Sequence, residues 1–82
     1  MFIASTYWNG AMNVADMRTA EHEEDAWNYL LGLAKAQGRD DSEGSMDSFM
    51  RYTRIYEVFP DKPPRLVRAK KGQKWLLLAK SL

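Results

Sequence analysis

The dipeptide Asn9-Gly10, set between two runs of mixed apolar and polar residues, constrains this chain more than any other feature. Asparagine and glycine accept positive φ at both central positions of a type I′ turn, whose twist matches that of paired strands, so residues 2–19 are expected to form a β-hairpin. A two-residue loop then sets the register. Trp8 falls opposite Ala11, Thr6 opposite Asn13, Ala4 opposite Ala15 and Phe2 opposite Met17, all on one face because side chains alternate along a strand. With large residues at its ends and alanines at its centre, this face is the expected seat of a helix. The opposite face carries Ile3, Ser5, Tyr7, Met12, Val14 and Asp16, half apolar and half polar.

A helix is predicted from about Glu21 to Gln37, with Thr19 as N-cap and Glu21, Glu23, Glu24 and Asp25 placing negative charge at the positive end of its dipole. Ala26, Trp27, Leu30, Leu31 and Ala34 recur at three- and four-residue spacing and form one stripe, which Tyr29 and Leu33 widen. Gly32 lies inside the helix and suggests close approach by a neighbour; Gly38 ends it. Residues 39–47 are polar and lack an apolar period, which predicts a loop. From Phe49 to Phe59 aromatic and β-branched residues predict a strand, the prolines at 60, 63 and 64 turn the chain, and Arg65 to Lys70 is expected to return as its partner. Residues 72–82 favour a helix with Trp75, Leu78, Ala79 and Leu82 on one face, with a fifth strand as the alternative. The sequence therefore predicts one α+β domain over residues 1–82, in ββαββα order, with a four-stranded, mainly antiparallel sheet and helices on one face.

Size and composition narrow the function classes. A chain of 82 residues, 45% of them hydrophobic, buries roughly 60–65% of its unfolded surface, so its core is thin and a homodimer or partner could share in stability. There are no cysteines, which removes disulfides and Cys-ligated metal centres and points to a cytoplasmic setting. No basic, apolar leader opens the chain and no apolar run approaches the roughly 20 residues of a membrane span, so neither secretion nor membrane insertion is expected.

Charge is distributed unevenly. Residues 1–50 carry three basic and nine acidic side chains, a net of −6; residues 51–82 carry nine basic and two acidic, a net of +7. Either the halves neutralise one another or each presents its own field to a partner. Catalytic patterns do not emerge. His22 is the only histidine and has no partner at metalloprotease spacing, no nucleophile elbow surrounds a serine, and the five glycines form no phosphate loop or dinucleotide fingerprint. No catalytic, cofactor-binding or metal residue is assigned, and the chain is not expected to be an enzyme. Binding is better represented. Tyr7 and Met12 on the outward hairpin face, together with Arg65, Arg68, Lys70, Lys71 and Lys74, form the candidate partner surface; Glu23, Glu24, Asp40, Asp41 and Glu43 form an alternative acidic one. Arg51, Arg54, Tyr52, Tyr56 and Trp75 add the mixture of cations and rings that nucleic acids favour, although the same rings could be core with basic stems around them.

The run Arg54-Ile-Tyr-Glu-Val, a proline-bearing turn, Pro64-Arg-Leu-Val-Arg-Ala69 and a basic amphipathic terminus resembles a hairpin–helix pattern of small accessory proteins encoded by phages and other mobile elements, over roughly the last 30 residues. In size, lack of cysteine and lack of catalytic motif the chain is also similar in kind to anti-CRISPR inhibitors. That resemblance implies a non-enzymatic protein that binds a host protein or ribonucleoprotein complex and blocks it sterically. A small nucleic-acid-binding domain using the basic C-terminal half is the alternative.

Overall fold

Both residues of the Asn9-Gly10 turn adopt positive φ, 52° and 83°, and the strand ahead of them, β1 (Phe2–Trp8), is the axis of the sheet. The computed structural model describes residues 1–39 and 43–67. Along one edge β1 pairs with β2 (Ala11–Met12) and then with β3 (Arg18–Ala20); along the other it pairs with β4 (Thr53–Glu57), which in turn pairs with β5 (Arg65–Val67). Every pairing is antiparallel. Between β3 and β4 lie α1 (Glu23–Ala36) and α2 (Glu43–Met50). The fold is α+β, an open antiparallel sheet with helical cover. Among the described residues no helix is long and apolar enough to cross a membrane.

The hairpin keeps its expected register only near the turn, where Tyr7 faces Met12 and Trp8 faces Ala11. A single turn of 3-10 helix, Val14–Asp16, then interrupts the return strand. Beyond it Ala4 faces Arg18 instead of Ala15, and Phe2 faces Ala20 instead of Met17, a slip of three residues. An odd slip moves the alternate set of side chains to the other face. Phe2 and Ala4 face the core as expected, and Trp8 keeps its register yet is 62% exposed at the end of the strand, but the slip brings Ala20 into the core in place of Met17, which is 40% exposed. The cause is local hydrogen bonding that competes with the ladder. The Asn13 side-chain oxygen accepts from the Ala15 amide at 3.1 Å, and the Asn13 amide nitrogen donates to the Asp16 carboxylate at 3.2 Å.

Ala26, Trp27, Leu30, Leu31 and Ala34 form the buried face of α1, as their spacing predicts, and pack with Ala4, Ile55 and Val67 of the sheet. The helix begins two residues later than expected. Thr19 is taken by β3, and His22 occupies the N-cap without a side-chain bond, exposed to solvent. Gly38, at φ 75°, ends the helix in a Schellman arrangement, its amide donating to Lys35 and that of Arg39 to Ala34. Gly32 does not mark a close approach, because it is exposed and an added Cβ would meet nothing within 4 Å.

The second half departs further from expectation. From Glu43 the predicted 39–47 loop gives way to α2, residues 40–42 lying outside the described ones, and the predicted 49–59 strand shortens to β4. Phe49 is the reason: 1% exposed, it drops into the core from the last turn of α2 rather than standing on a strand. Amide bonds from Arg51 to Ser48 and from Tyr52 to Phe49 carry the chain out of the helix into β4, where Thr53 and Ile55 are buried. The partner strand is present as Arg65–Val67; its expected extension to Lys70 and the 72–82 segment lie outside the described residues.

Replacing Leu30, which is wholly buried, with alanine should lower unfolding free energy by about 2–5 kcal/mol in a denaturant titration. Gly32→Ala should raise it by about 0.5–1 kcal/mol, since the helix interior gains propensity and no atom must move. A destabilised Gly32→Ala would show that something unseen packs on that face.

Candidate interaction site

The 3-10 turn that displaces the hairpin register also builds the end of the sheet nearest Asn9-Gly10. Thr6 Oγ1 donates to Asp16 Oδ2 at 2.8 Å, Ser5 Oγ to the Asn13 carbonyl at 2.6 Å, and the Asn13 amide to the Thr6 carbonyl at 2.9 Å. Ser5 is completely buried yet satisfied, as a buried hydroxyl must be. From α1, the Tyr29 hydroxyl donates to the Asp16 carbonyl, and the Arg18 guanidinium lies 4.8 Å over the Tyr29 ring. The turn is thus tied to both the sheet and the helix.

On this framework sits an open groove of about 300 Å³ lined by Thr6, Tyr7, Trp8, Asp16, Gln37, Arg39, Phe49 and Tyr52. Four segments meet there: the end of β1, the 3-10 turn at Asp16, the residues leaving α1, and the exit from α2. Trp8 and Tyr52 are brought together by the Tyr7 amide donating to the Tyr52 carbonyl at 2.7 Å, which extends the β1–β4 ladder by one bond. Their ring centroids are 5.2 Å apart and tilted by 38°. Both remain open to water, Trp8 at 62% and Tyr52 at 39%. Across the groove the Arg39 guanidinium lies 5.1 Å over the buried Phe49 ring, with its Nε donating to Gln37 Oε1 at 3.3 Å. On the other face of the sheet, Arg54 lies 4.2 Å over Tyr7 and donates through Nη1 to the Arg51 and Thr53 carbonyls.

The structure divides the residues named from sequence. Tyr7 and Met12 do meet as a cross-strand pair, half-buried on the face away from α1. Arg65 belongs elsewhere: its Nη2 is 2.7 Å from Glu57, and Glu57 pairs with Phe2 at the opposite end of β1, roughly 17 Å along the strand from Tyr7. Arg68, Lys70, Lys71 and Lys74 lie outside the described residues, as do Asp40 and Asp41. Of the remaining acids, Glu23 accepts the Trp27 indole N–H at 3.2 Å, Glu24 is exposed on the first turn of α1, and Glu43 opens α2.

Trp8, Asp16 and Arg39 were not assigned to a site from sequence, and Tyr52 was named only among the rings of a possible nucleic-acid surface. Trp8 follows the alternation of a core strand, and only the exposure at the end of β1 removes it from the core. The signal that could have located the turn was Asn13-Val-Ala-Asp16, a side-chain cap followed three residues later by a carboxylate. No family model, no curated protein and no solved structure matches the chain.

Truncating Trp8 and Tyr52 singly and together measures their coupling by a double-mutant cycle. An interaction of about 0.5 kcal/mol is expected for a tilted, partly solvated ring pair, and strict additivity would mean that the rings do not stabilise one another.

Proposed function

We propose that this chain is a non-enzymatic interaction protein that docks on a macromolecular complex through the hairpin end of its sheet, with Trp8 as the central anchor. The observation that carries this reading is the exposure of Trp8. The largest side chain available is held by Tyr52 at the rim of a groove and left 62% open, where a partner can cover it. Tryptophan, tyrosine and arginine are the residues most often found to dominate binding energy when truncated, and all three converge at this end. The surrounding hydrogen bonds hold the site in a defined shape, which reduces the ordering cost of association.

Such a protein can inhibit without chemistry. Seated over a surface its partner needs, it excludes the natural occupant sterically, which is the role implied by the resemblance to phage and mobile-element inhibitors acting on a host complex inside the cell.

Trp8→Ala tests the reading. Because the indole is largely solvated, the variant should fold, with circular dichroism and thermal unfolding close to the parent's. Affinity capture from host lysate, followed by mass spectrometry, should recover a partner set with the parent chain and with the exposed control Asp61→Ala, and lose it with Trp8→Ala. Identical recovery from all three would defeat the assignment.

A further inference from the structure

Resting on that docking surface, we infer that the groove receives a single-stranded nucleic acid, with a base stacked on Trp8 and the backbone drawn to Arg39, Arg51 and Arg54. The inference starts from the state of the arginines. Arg65 is neutralised by Glu57 at 2.7 Å, but among the described residues Arg39, Arg51 and Arg54 make no ion pair with a carboxylate. Arg39 and Arg51 lie beside the exposed ring pair, and Arg54 lies at the same end of the sheet on its opposite face. Arg39 lines the groove with Trp8 and Tyr52, Arg51 directly precedes Tyr52, and Arg54 lies over Tyr7, the neighbour of Trp8.

Aromatic faces and uncharged oxygens hold two of the guanidinium groups in place without quenching their charge. Arg54 is fixed by Tyr7 and by the Arg51 and Thr53 carbonyls, and Arg39 by Phe49 and Gln37; each keeps N–H donors beyond those bonds. Asp16, the carboxylate lining the groove, already accepts from Thr6 and Asn13 and is bound into the turn. What the site offers a ligand is therefore a flat π surface beside positive charge. An acidic peptide would satisfy the charge alone, whereas a strand of nucleotides supplies planar rings and anions in alternation, which uses both.

The test is fluorescence anisotropy of labelled single-stranded oligonucleotides, one DNA and one RNA, titrated with the full chain from about 50 to about 200 mM salt. Binding should weaken by about tenfold over that range, as expected when two or three phosphates are engaged. Trp8→Ala should weaken it by about tenfold or more at fixed salt, Trp8→Phe should restore most of the affinity, and Arg51→Gln with Arg54→Gln should flatten the salt dependence. The DNA and RNA arms decide which sugar is preferred. No binding at low salt, binding indifferent to Trp8→Ala, or equal binding of a glutamate-rich peptide of the same length would each overturn the inference. Its failure is separable from that of the docking reading. If Trp8-dependent capture from lysate persists after nuclease treatment while the oligonucleotides do not bind, the groove holds protein and only this inference falls; if capture never depends on Trp8, both fall.

Discussion

Strand β1 is hydrogen-bonded along both edges, and the positions of the other described elements follow from that. On one side it carries β4 in continuous register from Phe2–Glu57 to Thr6–Thr53, extended by the Val58 amide to the Met1 carbonyl and by the Tyr7 amide to the Tyr52 carbonyl. On the other side the return strand is broken into two pieces by a 3-10 turn. Alternation along β1 then divides the molecule. Ala4, with Ile55 beside it, turns toward α1, and a small side chain at that centre lets Leu30, Leu31 and Ala34 come down onto the sheet. Most of the fold's apolar burial lies on that side, and the hydrophobic term it supplies is the main offset to the entropy of ordering so short a chain.

The parts of this plan that could be read in the sequence are those governed by local rules. Asn9-Gly10 turns as its backbone preferences dictate, the apolar stripe of α1 is buried residue for residue, and Gly38 stops the helix. The parts that could not are those decided by competition. At Asn13 two hydrogen-bonding arrangements were available, the ladder and the side-chain cap, and nothing in a strand-like alternation tells which prevails. In α2 the polar and glycine content argued for a loop, yet Phe49 at the end of a single short helix finds the core, and tertiary burial outweighs weak propensity. Met46, Phe49 and Met50 do recur at helical spacing, a signal masked by the strand-like residues that follow.

The interaction site was legible only in its chemistry. Rings and arginines were visible as ingredients, but which of them meet depends on the register slip and on the exit from α2. Tyr52 was drawn out of a supposed long strand into the turn beside Trp8, while Arg65 was lost to an ion pair at the other end of the sheet. The Arg65–Glu57 pair lies within the basic half, and the guanidinium groups of Arg18, Arg39 and Arg54 rest on aromatic rings. Charge therefore bears on association more than on the choice of fold.

The bond from Val58 to the Met1 carbonyl places the first residue of the chain within the ladder, roughly 24 Å along the strand direction from Trp8. A tether or fluorophore attached ahead of Met1 consequently leaves the molecule from the end remote from the ring pair. Immobilised by that route on a sensor chip, the protein would point its indole outward, and the handle would not shadow what is measured.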